Sequence, residues 1–123
     1  MTIKQVVTDY FDCINQEKFE KLIELFHVDA KLQCPVNFVG ENLEEIRSFY
    51  LAVPENYPKH HDEPLNMMID NERAVVLIEF TGKSNSGVEV NFLAVDWFQF
   101  KDDKIYQLDI FYDSLAVKKQ LRA

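Results

Sequence analysis

The spacing of the apolar residues changes once along this chain, and that change restricts the fold more than any other feature. Up to Tyr50 apolar side chains recur at helical spacing; from Leu65 onward they alternate in runs separated by short polar turns. Ile3, Val6, Val7, Tyr10, Phe11 and Ile14 form one stripe, opened by a Thr2-x-x-Gln5 capping pattern. Phe19, Leu22, Ile23 and Phe26 repeat the stripe over a shorter length after the polar break NQEK. Leu43, Ile46, Phe49 and Tyr50 make a third, following Asn42 with Glu45 at the capping distance. Three helices are therefore expected before most of the strands.

Between the second and third helices, AKLQCPV alternates, so that Ala30, Leu32, Cys34 and Val36 share one face, and Pro35, which cannot donate to a ladder, argues for an edge. Val53 to Pro64 reads as a proline-punctuated loop. Strands follow near Leu65–Ile69, from Arg73 to about Gly82, from Val88 to Phe100 and from Ile105 to Tyr112, with turns at Asp70-Asn71, KSNSG and KDDK. Ser114–Leu121 reads as one or two closing helical turns. Helices first and hairpin-linked strands afterwards predict an α+β domain, with helices against one face of a curved, mainly antiparallel sheet. Both sheet faces are apolar: Val76, Ile78 and Phe80 oppose Val75 and Leu77, and Leu93, Val95 and Trp97 oppose Phe92, Ala94 and Phe98. Helices cover only one of them, so a homodimer through the other sheet face is expected.

At 123 residues the chain has room for one core and one domain, spanning 1–123. Its net charge of −8 makes nucleic acid an improbable partner. MTIKQVVTDY lacks a basic segment leading into an apolar one, and no apolar run reaches the length of a membrane span, so the protein is expected to be soluble and cytoplasmic, with no membrane association. Cys13 and Cys34 are expected to be reduced thiols. No GxGxxG, P-loop or GxSxG motif occurs, and three glycines offer little material for a phosphate-cradling loop, so no cofactor is expected.

One residue stands out against the apolar background. In FLAVDWFQF, Asp96 shares a strand face with Phe92, Ala94, Phe98 and Phe100. An ionised carboxylate there is costly, so Asp96 must either meet a donor or keep its proton through a raised pKa. If the helices pack over a curved sheet, the inner side forms a cone able to hold a small molecule, with Asp96 on its wall. Tyr10, on the first helical stripe, and Cys34, on the first strand, are the available donors.

The segments DYFDCINQEKFEKLIELFHVDAKLQCPV, GENLEEIRSFY, AVDWFQFKDDKI and LDIFYD, with Asp29-Ala30 before the first strand and Gly40 before the third helix, resemble the NTF2-like superfamily in its SnoaL-like and ketosteroid-isomerase-like branch. That resemblance covers nearly the whole chain and implies a cone-shaped fold. It implies that Tyr10 matches an oxyanion-donating tyrosine and Asp96 a protonated aspartic acid beside it. Where the isomerases carry an aspartate base before a proline, this chain has Cys34 before Pro35. An apolar site raises a thiol's pKa, so Cys34 is read as a small buried cavity residue and not as a base.

Further cavity-lining candidates are Phe26, Phe92, Phe98, Leu108, Ile110 and Tyr112, the last three through the register the resemblance implies. His60 and His61 point opposite ways in an extended segment and complete no metal-binding pattern, so no metal is expected; His61 is the candidate for the missing base at the cavity mouth. Asp113 reads as a cap for the following turn, and Glu79 as solvent-facing or interfacial. Two functions stay open: a cofactor-independent isomerase or cyclase acting by proton transfer on a hydrophobic carbonyl compound, and a non-catalytic module binding an apolar ligand or a protein partner.

Overall fold

The computed structural model describes residues 1–34 and 38–122. Along the chain the elements are α1 (Ile3–Asn15), α2 (Phe19–Glu24), β1 (Phe26–Cys34), β2 (Phe38–Gly40), α3 (Leu43–Asn56), β3 (Lys59–Asp70), β4 (Arg73–Lys83), β5 (Glu89–Lys101), β6 (Lys104–Tyr112) and α4 (Ser114–Leu121). The strands form one sheet in the order β2-β1-β6-β5-β4-β3. β1 and β6 run parallel and every other neighbouring pair is antiparallel. The α+β architecture is as the sequence implies, with a fourth helix at its end.

Local chemistry explains most boundaries. The Thr2 hydroxyl accepts from the Gln5 amide while the Gln5 side chain accepts from the Thr2 amide, so α1 opens on a complete capping box. Asn42 caps α3 through the Glu45 amide, and Asp113 caps α4 through the Ala116 amide. Asp102 and Asp103 both take positive φ, the backbone that a two-residue hairpin between Lys101 and Lys104 demands. Gly40 has a packing reason: a Cβ there would lie 2.9 Å from the Phe38 ring and 3.1 Å from Ile46.

Two expectations need correction. Phe26 is not the end of the second helical stripe: α2 stops at Glu24, and Phe26 opens β1 opposite Ile105 of β6. The segment Val53–Pro64 is not a loop. Pro54 lies inside the last turn of α3, where it forfeits only the bond to the Tyr50 carbonyl, and β3 begins at Lys59. Pro64 is tolerated because the register shifts between Pro64 and Asn66, leaving Leu65 as an extra, bulged residue. That bulge keeps both halves of β3 aligned with the core: Asp62 and Pro64 stand opposite Phe80 and Ile78 before it, and Met67 and Ile69 opposite Val76 and Ala74 after it. The sequence expectations for Pro35 and Val36 fall outside the described residues.

β3 is an edge strand, and α1 closes part of that edge. The Asn15 side chain donates to the Asp62 carbonyl at 2.9 Å and accepts from the Asp62 amide at 2.8 Å, imitating a strand neighbour. The core lies between the helices and the inner face of the sheet, where Ala74, Val76, Ala94, Phe98 and Leu108 are buried. The outer face keeps Leu93, Trp97 and Phe111 in solvent. Among the described residues, no helix is long and apolar enough to cross a membrane.

Candidate functional site

The narrow end of the cone is filled. Phe98 of β5 faces Leu108 of β6 across the sheet, and both are fully buried. The Tyr10 ring stands edge-on to Phe98 at 5.1 Å and to Phe11 at 4.9 Å, while Phe26 packs against both Tyr10 and Tyr50. The wide end stays open as a cavity of about 500 Å³ between α1, α3, α4 and the sheet.

The structure divides the candidates accordingly. Tyr10, Cys34, Phe92, Asp96, Ile110 and Tyr112 line the cavity. Phe26, Phe98 and Leu108 do not; they form the packed floor beneath it. His61 also lies away from it, with its exposed imidazole 2.9 Å from Glu63 on the outer side of β3. Alternation along the strand gives the inward place to Asp62 instead, opposite Phe80.

Two hydroxyls and two carboxyls line the cavity. The Tyr10 and Tyr50 hydroxyls, from α1 and α3, lie 2.5 Å apart and share a hydrogen bond. Two hydroxyls hold two protons and that bond uses one, so the second remains available to an incoming acceptor. Asp96 is buried, and its Oδ1 has no hydrogen-bond partner among the described residues. Asp62 lies nearer the solvent, its backbone clamped at both ends by Asn15. Aromatic rings from Phe38, Phe49, Tyr57, Phe80 and Phe92 make up much of the remaining wall, and among the described residues no Lys, Arg or His side chain lines it.

Burial sets the protonation of these groups. It holds the Asp96 carboxyl well above the usual carboxylate range, and the negative charge of Asp62 adds to the rise. Asp62 is pushed up to about 6 by the same loss of water, with His61 pulling the other way. Desolvation raises both buried tyrosines. The Cys34 thiol is pushed up to about 11 by burial, against the opposing effect of its hydrogen bond with Tyr112. Burial thus disfavours the charged form at both carboxyls, and most strongly at Asp96, the more deeply buried of the two. Both cysteines are free thiols. Among the described residues no group of three or more His, Cys, Asp or Glu side chains could hold a metal ion.

Tyr50 and Asp62 were not among the sequence candidates. Tyr50 carries the same signal as Tyr10, a phenol on a buried helical stripe. Asp62 was hidden by the prolines around it, because alternation is not applied to a segment read as a loop.

A family model described as the SnoaL-like domain matches residues 7–108. The chain belongs to the SnoaL-like family. Solved structures share its fold at low identity. A putative SnoaL-like polyketide cyclase from Jannaschia sp. CCS1 superposes with a TM-score of 0.91 at 21% identity, over 98% of this chain and 92% of that one. An NTF2-like protein of unknown function from Burkholderia pseudomallei K96243 gives 0.91 at 15% identity over 100% of both chains. A protein with a ketosteroid-isomerase-like fold from Catenulispora acidiphila, in complex with trimethylamine, gives 0.87 at 12% identity over 94% of this chain and 90% of that one. No curated protein matches the chain in sequence. This SnoaL-like chain therefore has the cone-shaped NTF2-like fold that the resemblance along its sequence implies.

The protonation of Asp96 has a stability consequence with a definite sign. The unfolded chain releases this proton near pH 4, about the ordinary carboxylate value, while the folded chain keeps it to higher pH. The folded state therefore binds more protons in that window, and stability falls as pH rises through it. Asp96→Asn, which cannot ionise, is expected to gain on the wild type by about 1.4 kcal/mol per pH unit from about pH 4 up to the folded-state pKa of Asp96. Urea unfolding of both proteins at several pH values measures the difference; a gap that does not change with pH contradicts it.

Proposed function

We propose that this SnoaL-like protein binds a hydrophobic, oxygen-bearing small molecule, of the carbonyl class, in the open end of the cone and catalyses a cofactor-independent proton transfer of the isomerase or cyclase kind. The observation that carries this reading is the convergence of the unpartnered Asp96 carboxyl and the Tyr10–Tyr50 hydroxyl pair on one apolar cavity. A neutral acid and a free phenol proton are donors in a water-poor setting. Donors held in place there stabilise negative charge growing on a carbonyl oxygen without having to reorganise. Cys34 and Tyr112 bound the same space and contribute shape and a weak polar edge.

Para-nitrophenol is a suitable probe, being aromatic and carrying one acidic oxygen. Wild-type protein is expected to bind it, and Tyr10→Phe and Tyr50→Phe are each expected to weaken binding roughly tenfold, the factor for about 1.4 kcal/mol of lost hydrogen bonding. Fluorescence or calorimetric titration measures this. No binding by the wild type, or equal affinity in all three proteins, contradicts an oxygen site at these groups.

A second reading is favoured by Cys34 in the place of the isomerases' aspartate: a binding module with the same cavity and no chemistry. It expects the same titration and no turnover of any carbonyl compound.

The protein is also proposed to be a homodimer through the outer sheet face. Leu93, Trp97 and Phe111, all substantially exposed, lie on adjoining strands β5 and β6 and make an apolar surface that a second copy of the same sheet would cover. Sedimentation of the wild type is expected to give a dimer and of Trp97→Glu a monomer with unchanged circular dichroism. A monomeric wild type contradicts the interface.

A further inference from the structure

We infer that Asp62 is the proton acceptor of this cavity, taking the part that neither Cys34 nor His61 can play, and that Asp96 is the paired neutral acid. This inference rests on the proposed oxygen site and adds the other half of a proton transfer to it.

The first support is position. Asp62 lines the same cavity as Tyr10, Tyr50 and Asp96, and it is less deeply buried than Asp96. A base that must hand its proton on to water is best placed there. The second support is rigidity. Both backbone polar groups of Asp62 are held by Asn15 on one side, and the residue pairs with Phe80 of β4 on the other. Its backbone is thereby fixed relative to α1, the helix that carries Tyr10.

The third support is what surrounds it. Asn15 of α1 and Phe80 of β4 pair with Asp62, and the groups lining the same cavity are Tyr10 from α1, Tyr50, Asn56 and Tyr57 from α3 and its end, and Asp96 from β5. On its own strand His61 turns outward to Glu63, and His60 turns its buried imidazole toward Glu17, 3.4 Å away. Among the described residues no Lys, Arg or His lines the cavity beside Asp62, so its charge is left for a substrate proton. Of the remaining candidates, burial pushes the Cys34 thiol up to about 11 and raises Asp96 well above the usual carboxylate range, whereas Asp62 is raised only to about 6. Two carboxyls whose surroundings separate their proton affinities divide into a base and an acid.

Nitrobenzisoxazole tests this without knowledge of the natural substrate. Its ring C–H proton would pass to the Asp62 carboxylate, the released electron pair would form a nitrile as the N–O bond breaks, and the oxygen would leave as a phenolate facing Asp96 and the tyrosines. Asp62 then returns the proton to water. The coloured phenolate reports the rate.

Wild-type protein is expected to accelerate the reaction over acetate, with kcat/KM rising with pH through an apparent pKa of about 6. Asp62→Asn is expected to lower the rate by at least about 100-fold and remove that limb. Asp96→Asn is expected to lower the rate while leaving the limb in place. Para-nitrophenol binding and circular dichroism of each variant establish that fold and cavity survive. Retention of the rate in Asp62→Asn, or its loss in Cys34→Ala instead, overturns the assignment. Absence of turnover in a wild type that still binds para-nitrophenol overturns the Asp62 base and leaves the oxygen site standing; absence of both overturns the oxygen site as well.

Discussion

A buried carboxyl with one oxygen unpartnered among the described residues is the constraint on which the rest of this molecule turns. Among those residues Asp96 is the one charged residue type in the buried set, and everything beside it on the inner face of β5 is apolar. Burial of that kind is tolerated only if the group keeps its proton or a ligand supplies a hydrogen bond. The surrounding fold favours both. Helices α1 and α3 cover the cavity on one side and the sheet on the other, and Asp96 is among the residues that line it.

The cone separates stability from function along its length. Phe26, Phe98, Leu108 and the Tyr10 ring fill the narrow end, so the core forms there without any ligand. The wide end is then free to stay open. Tyr10 belongs to both regions, since its ring is part of the floor and its hydroxyl, bonded to Tyr50, is part of the cavity. A substitution of the whole side chain would therefore disturb packing, whereas removal of the hydroxyl alone isolates the polar role.

Much of this was legible in the amino-acid order. The stripes of α1 and α3, the caps at Thr2, Asn42 and Asp113, and the alternation of β4, β5 and β6 are local signals, and each element forms where its signal lies. Asp96 was legible for the same reason, being a charge on an apolar face. What the local signals missed depends on tertiary contacts. Pro54 and Pro64 suggest a break, yet the first falls in a final helical turn and the second beside a bulge, so α3 runs on and β3 starts early. With that strand unread, His61 was preferred to His60, and Asp62, two residues beyond His60 on the same strand face, was passed over. The floor residues Phe98 and Leu108 share a face with true lining residues, and only the taper of the cone distinguishes them.

The central claim is that Asp96 is a neutral carboxylic acid at neutral pH. Infrared difference spectroscopy of wild type against Asp96→Asn at about pH 7 addresses it most directly, because the carbonyl stretch of a protonated carboxyl is well separated from the bands of a carboxylate. The account expects a protonated-carboxyl band in the wild type that is missing from Asp96→Asn. A carboxylate band present in the wild type and missing from Asp96→Asn in its place would mean that Asp96 is ionised, and the division of the two carboxyls into acid and base would not hold.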